Sequence, residues 1–305
     1  MNRAKILVTG ATGFLGKNVC KRLLSMPVMA DVLMTGGHED VESNIQKLDL
    51  TSFARVSDYI NETRPDVVFH LGGFVDLTRT FDVARRCINV NVIGTTHLLE
   101  ALRNNPPKCF IFASTEEVYG EGDIPYKEEC TTYPPSPYAI SKLAAEHMCR
   151  MYANQYGFAL IIFRIGTMYG PHQPEHRYIH QTIKKALANE DIPLNSGTKK
   201  RDYIYVDDVV DAMVKAFELK RHHGVEVINL GSGINMTLKS LVEKIVRLTN
   251  STSTLRIGQI PDRISEADDW LLDIVKAKKI LDWEPKTDIE SGLKVSIEFC
   301  RRQKS

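Results

Sequence analysis

The chain has 305 residues, enough for two ordinary domains or one large α/β domain, and for a core that needs no disulfide or metal to hold it. Lys and Arg number 39 against 38 Asp and Glu, a net charge of +1, which argues against a protein built around nucleic acid or an anionic membrane. With 43% apolar and 25% charged residues a mostly disordered chain is excluded, and no apolar run approaches the roughly 18 residues needed to cross a bilayer. The six cysteines, at 20, 87, 109, 130, 149 and 300, include no Cys-x-x-Cys pair, and the opening Met1–Gly10 stretch has no signal-peptide core. Reduced thiols in a cytoplasmic protein are the expectation.

In chain order, short apolar runs alternate with amphipathic stretches. Strands are predicted over 5–9, 31–35, 66–70, 109–113 and 159–164. Helices are predicted over 16–25, 52–63, 91–104 (with Leu98, Leu99 and Leu102 on one face) and 138–156. After Gly170 the rhythm breaks. Pro and His gather over 171–176, a helix follows over 179–189, then the 201–210 segment, and a last βα unit covers 225–230 and 237–248. The alternation is that of a doubly wound parallel α/β sheet with a smaller C-terminal α/β part. The expected division is 1–165, with the unit near 225–248 returning to the first sheet, and 166–305.

The first strand runs into Thr9-Gly10-Ala11-Thr12-Gly13-Phe14-Leu15-Gly16. Glycines at intervals of three allow a tight turn, close approach of backbone to a pyrophosphate, and close helix–strand packing, and the following helix N-terminus offers free N–H groups. A plain βα turn uses the same residues; the place at the first strand of this pattern favours dinucleotide binding. The second strand ends in Thr35-Gly36-Gly37-His38, with neither the ribose-holding carboxylate usual there nor a basic residue for a 2′-phosphate. NAD and NADP both remain open.

Tyr138 and Lys142 stand one helical turn apart, so the ammonium favours phenolate and makes a general base near neutral pH. Upstream, a strand ends in Ser114-Thr115-Glu116-Glu117, and the carboxyl ends of parallel strands are where this architecture places its chemistry. His172, His176 and His180 recur at spacings of four, but Pro171 and Pro174 interrupt the pattern and no carboxylate completes a ligand set, so no metal is expected. Arg221-His222-His223 reads as a solvated turn.

Seven motifs occur in order: 9–16, His70-Leu71-Gly72-Gly73, Asn91-Val92-Ile93-Gly94-Thr95, 114–120, Tyr138 with Lys142, Arg164 with Tyr169-Gly170-Pro171, and 201–208. From about residue 4 to 285 the chain resembles the extended short-chain dehydrogenase/reductases, and within them the NAD(P)-dependent nucleotide-sugar epimerase/dehydratase group. The resemblance implies a Rossmann fold with a nucleotide-sugar-binding domain, and a tightly held NAD or NADP, NAD being preferred. It implies that Tyr138 removes the proton of the sugar C4 hydroxyl while hydride passes to the nicotinamide. Lys142 would lower the Tyr138 pKa and hold the nicotinamide ribose, and Thr115 would hydrogen-bond the C4 oxygen.

Gly10, Thr12, Gly13, Phe14, Leu15, Gly16, Leu71, Gly72, Gly73 and Asn91 would line the cofactor, with Gly72 and Gly73 in place of the usual alanines. Asp49, with Leu50, would face the adenine. Thr115-Glu116-Glu117 matches the triplet of 4,6-dehydratases, one carboxylate as C5 base and one as acid. A Glu at 117 also occurs in relatives that epimerise, decarboxylate or reduce, so a C4 epimerase or dehydrogenase, or a 4-keto-sugar reductase, remains open beside the dehydratase. A non-catalytic dinucleotide-binding protein is disfavoured because the Tyr–Lys pair is kept. Arg201 and Arg263 would hold the substrate diphosphate, since guanidinium forks suit its oxygens. The stretch from Arg263 to Ala277 looks most like the GDP-mannose 4,6-dehydratase and GDP-keto-sugar reductase branch. Arg164 is read as structural, and Thr167 replaces the substrate-contacting Asn expected three residues after it. The helices 91–104 and 138–156 would form a homodimer, as in relatives.

Overall fold

The computed structural model describes residues 3–26, 30–219, 224–263 and 265–303. The turn expected at Arg221-His222-His223 lies outside the described residues. In chain order the elements are β1 (Ala4–Thr9), α1 (Phe14–Ser25), β2 (Ala30–Gly36), β3 (Gln46–Lys47), α2 (Phe53–Thr63), β4 (Val67–His70), α3 (Phe81–Cys87), a π-helical turn (Ile88–Ile93), α4 (Gly94–Leu102) and β5 (Cys109–Thr115). A 3₁₀ turn (Glu116–Val118) leads to α5 (Pro137–Tyr156), β6 (Ala159–Ile165), β7 (Thr167–Tyr169), α6 (Tyr178–Leu187), β8 (Ile192–Leu194), β9 (Lys200–Tyr205) and α7 (Val206–Glu218). The chain closes with β10 (Val225–Leu230), β11 (Asn235–Thr237), α8 (Leu238–Thr249), β12 (Leu255–Ile257), α9 (Val275–Leu281) and α10 (Ile289–Arg302).

A seven-stranded sheet has the order β10-β6-β5-β4-β1-β2-β3, and its β1–β2, β1–β4, β4–β5 and β2–β3 pairs are parallel. Chain order reverses beside β1, between β2 and β4, and open α/β sheets bind ligands outside the carboxyl ends at such a reversal. Branched and aromatic residues fill the central strands because both sheet faces are covered by helices; β4 and β6 are buried throughout. The predicted helix over 91–104 is longer than expected. Helical backbone begins at Phe81, after the Thr80 hydroxyl accepts the Val83 N–H as N-cap, and is continuous through the π turn to Leu102.

Two compact units emerge. The first comprises 1–118, 132–164 and 212–228, and the second 119–131, 165–211 and 229–305. The core of the first joins Leu7, Val68, Leu98, Leu102, Phe110, Phe112, Ala145, Leu160 and Ile162. In the second, Tyr169, Ile183, Leu194, Tyr205, Leu241, Ile245, Leu293 and Ile297 pack together, with β11-β9-β7 as a small sheet. Of the βα unit expected at 225–248, the strand β10 lies in the large sheet, whereas α8 contributes Leu241, Val242 and Ile245 to the second core. Among the described residues no helix is long and apolar enough to cross a membrane.

Candidate active site

The turn after β1 is shaped by what it excludes. Gly10 has φ +72°, and a Cβ there would lie 2.6 Å from the Gly72 nitrogen in the turn after β4. A Cβ on Gly16 would collide with the Gly10 carbonyl, so α1 can approach the turn only without a side chain at that point. Gly13 caps α1 with no side-chain acceptor and the first turn carries no acid, which leaves the first-turn amides of Phe14, Leu15 and Gly16 to an external anion. Thr12 packs over Gly36 at the end of β2, where a Cβ would meet the Thr12 hydroxyl at 2.7 Å. This glycine cradle and open helix end fit a dinucleotide pyrophosphate. Leu50 fills the space beside Gly72 and Gly94. Asp49 is exposed, its carboxylate accepting the Thr51 N–H (2.9 Å) and hydroxyl (2.7 Å), bonds that hold it below the usual carboxylate range.

A buried polar chain supports the Leu71–Gly73 turn. Thr9 Oγ1 accepts the Gly72 N–H at 3.1 Å and meets His70 Nδ1 at 2.7 Å; His70 Nε2 meets Thr95 Oγ1 at 2.9 Å, which donates to the Asn91 carbonyl at 2.6 Å. Because the Thr95 proton is committed to Asn91, His70 must donate from Nε2 and accept at Nδ1 from the Thr9 hydroxyl. The tautomer follows from the network. Burial, reinforced by the Lys142 charge, lowers the His70 pKa to about 3, so the ring is neutral. The π turn carries Asn91 inward, where its amide accepts the Phe74 N–H (2.7 Å) and donates to the Phe74 carbonyl (2.9 Å) and to Ser141 Oγ (2.8 Å). One side chain thus pins the turn after β4 to α5, between Tyr138 and Lys142.

On α5, Ser136 is the N-cap, accepting the Ala139 N–H at 3.1 Å, and Pro137 opens the first turn. Lys142 is buried, its Nζ 4.1 Å from the centre of the Phe112 ring, and burial lowers its pKa to about 8 with Glu146 opposing. One turn further, the buried Glu146 accepts from Arg164 Nε (3.2 Å), Arg164 Nη2 (2.8 Å) and Ser114 Oγ (2.5 Å). That ion pair ties α5 to β5 and β6. Thr115 ends β5, and its Oγ1 accepts the Glu117 N–H at 3.3 Å. Glu116 is buried, while Glu117 is half-buried and accepts the Ser136 hydroxyl at 3.0 Å. Thr115, Glu117, Tyr138 and Lys142 therefore share one framework of strand end and helix start. A phenol one helical turn before a buried ammonium, on the helix packed against the end of β5, suits removal and return of a hydroxyl proton.

The remaining sequence-derived residues lie in the second unit. Thr167 starts β7, paired in register with Tyr203 of β9. Arg201 donates to the Lys200 carbonyl at 2.6 Å and pairs with Glu266 at 2.8 Å, and Arg263 reaches the same Glu266 oxygen at 3.2 Å. Two acids of the 201–208 motif tie this unit together. Asp202 accepts the Ser232 N–H and hydroxyl, both at 2.6 Å, and Asp208 accepts the Lys286 and Thr287 N–H groups at 3.0 and 3.1 Å. His180 is buried 3.9 Å from Cys300, and the His172 ring meets Phe299 edge-on, so these histidines serve packing. His70 belongs to the 70–73 motif; outside the sequence-derived set, Ser136, Ser141 and Glu146 hold Glu117, Asn91 and Arg164 in the first unit, and Glu266 holds Arg201 in the second. Ser136 before Pro137 is a helix-start signal, and Glu146 one turn after Lys142 is a helical-spacing signal. Ser141 meets Asn91 and Glu266 meets Arg201 across long stretches of chain, contacts that carry no local mark, although Arg263 stands only three residues before Glu266.

The chain matches the NAD-dependent epimerase/dehydratase family over residues 6–231. It is 30% identical to the UDP-glucose 4-epimerase of Mycolicibacterium smegmatis, over 98% of this chain and 99% of that protein. It is equally 30% identical to the dTDP-D-glucose 4,6-dehydratase of Homo sapiens, over 97% of this chain and 90% of that protein. The solved structure of the UDP-glucuronic acid 4-epimerase from Bacillus cereus, in complex with UDP-glucuronic acid and NAD, superposes with a TM-score of 0.90 at 27% identity, covering 98% of this chain and 99% of that one. These names speak of UDP- and dTDP-sugars, and the expected GDP-sugar branch finds no support among them. With the glycine turn, the Tyr138–Lys142 helix and the whole sheet matched together, the chain belongs to the NAD-dependent epimerase/dehydratase family.

Proposed function

We infer that this enzyme inverts a nucleotide-diphosphate sugar at C4, with UDP the favoured nucleotide and the first unit holding NAD throughout the cycle. The observation that carries the reading is Glu117: its carboxylate accepts the hydroxyl of the N-cap of the helix that presents Tyr138, a scaffolding bond at the position where a dehydratase needs a C5 base. Relatives that epimerise UDP-sugars support it. Tyr138 takes the C4 hydroxyl proton and later returns it, and Thr115 hydrogen-bonds the same oxygen. Lys142, protonated below about pH 8, stabilises the Tyr138 phenolate, and its burial strengthens that interaction. NAD supplies the chemistry of accepting hydride from C4 and giving it back. In the second unit Arg201 and Arg263 hold the diphosphate and Thr167 contacts the sugar.

A 4,6-dehydratase on a dTDP- or GDP-sugar is the second reading, favoured by the paired Glu116 and Glu117 and by the human relative. Proton NMR in deuterated buffer, with UDP-, dTDP- and GDP-hexoses and no added cofactor, separates them. A C4 epimer without solvent deuterium supports epimerisation; a 4-keto product carrying deuterium at C5 overturns it in favour of the dehydratase. For the assembly we infer a homodimer through the α4 and α5 side of the first unit. Ile140 and Met151, three helical turns apart on one side of α5, are exposed there, as are Ile88 and Ile93 of the π turn. Light scattering of Ile140→Glu should then report a monomer where the unmodified chain gives a dimer.

A further inference from the structure

Three consecutive cations lead into β9, and each meets the stretch 266–269. Lys199 pairs with Asp268 at 3.4 Å, Lys200 with Asp269 at 3.0 Å, and Arg201 with Glu266 at 2.8 Å. The first two pairs dock the stretch, beside backbone bonds from Lys200 N–H to the Asp268 carbonyl (2.8 Å) and from Trp270 N–H to the Lys200 carbonyl (3.2 Å). The third differs because a second guanidinium, Arg263, approaches the same atom, Glu266 Oε1, at 3.2 Å.

Arg201 does not need Glu266 to be oriented. Its Nη1 is held by the Lys200 carbonyl at 2.6 Å and the Ala267 carbonyl at 3.4 Å, and only Nη2 is given to the carboxylate. Arg201 and Glu266 are each 14% exposed, whereas Arg263 is 52% exposed. Two guanidinium groups that converge on one carboxylate oxygen can also converge on one phosphate, so the pair marks a single anion position. Glu266 brings one negative charge to two positive ones. A diphosphate brings more charge and more acceptor oxygens to the same donors.

We propose that Glu266 is a built-in competitor for the substrate diphosphate: its carboxylate fills the anion position between Arg201 and Arg263, and a diphosphate binds by displacing it from those donors. The proposal rests on reading the two arginines as diphosphate ligands. Its effect is discrimination, since a weak or singly charged anion gains little by replacing an anion already in place.

The test is calorimetric titration of the NAD-loaded full chain with inorganic pyrophosphate, followed by displacement with UDP. Glu266→Gln should tighten pyrophosphate binding by about tenfold, the scale of one charge-assisted hydrogen bond. Glu266→Ala should shift it in the same direction. Asp268→Asn removes an equal charge nearby, at a side chain that is 94% exposed and paired with Lys199, and should leave the affinity within about twofold. Unchanged or weaker binding by both Glu266 variants overturns the proposal, as does equal tightening by Asp268→Asn, which would reduce the effect to net charge. If UDP fails to displace pyrophosphate from the unmodified chain, the diphosphate reading of Arg201 and Arg263 falls, and the proposal with it.

Discussion

Lys142 is the residue on which the chemistry turns. An ammonium buried over the Phe112 ring has its pKa brought down to about 8, so it is charged at neutral pH and loses that charge as pH rises through about 8. In the proposed mechanism the charge stabilises the Tyr138 phenolate, so kcat should fall on the alkaline side of about pH 8, and Lys142→Met should be slow at all pH values without that limb. Stopped turnover assays across pH 6–10 check this. Tyr138→Phe keeps the ring and removes the proton acceptor; kcat should drop by about 10² to 10⁴ while NAD remains bound, read by absorbance of the purified variant. Glu117→Gln keeps a hydrogen-bond acceptor for Ser136 at the same length. Epimerisation should survive within about tenfold of the parent rate, the scale of one altered hydrogen bond; abolition of turnover together with loss of C5 exchange would assign Glu117 to proton abstraction.

At the scale of elements, α5 is held by contacts along its length. Ser136 caps its start, Asn91 of the π turn grips Ser141, and Glu146 binds Arg164 and Ser114. The Glu146–Arg164 pair is bidentate and buried, so removing one partner strands the other charge away from water. Glu146→Ala should cost about 3–5 kcal/mol in urea unfolding, and Glu146→Leu combined with Arg164→Met should recover most of it. If the single variant costs no more than a surface pair, the clamp on α5 is not what places Lys142. The start of the helical run at Phe81 escaped the sequence pattern because α3 buries only Val83 and Cys87 while Phe81 stands exposed, leaving little apolar periodicity to see. A π turn, one residue per turn wider, also breaks the 3.6-residue spacing that would have joined α3 to α4.

For the whole molecule, His70 couples the sheet to solution pH. Its folded pKa of about 3 lies below the usual 6.5, so between these values the unfolded chain binds a proton that the folded chain refuses, and stability falls as pH drops from 6.5 towards 3. Replacing it by Asn, which titrates nowhere in this range, should reduce the acid slope of the unfolding free energy by about one proton, roughly 1.4 kcal/mol per pH unit. Urea denaturation at intervals of half a pH unit measures that slope; equal slopes for the two chains would place the acid sensitivity elsewhere.

Local sequence alone determined the parts whose partners are near in the chain. Alternating apolar runs specify strands and helices, the glycines at 10, 13 and 16 specify the turn, and the spacing of Tyr138 and Lys142 puts them on one helical face. The order of motifs was enough to reach the family. Only the tertiary structure decided which distant groups meet: His70 with Thr9 across 61 positions and with Thr95 across 25, Ser136 with Glu117, Arg201 with Glu266, and α8 in a different core from β10. Helical and strand periodicity repeat over a few residues and therefore leave a mark in any short window. A hydrogen bond or ion pair between elements depends on how those elements pack, and packing is set by the summed fit of many side chains, which no single stretch records.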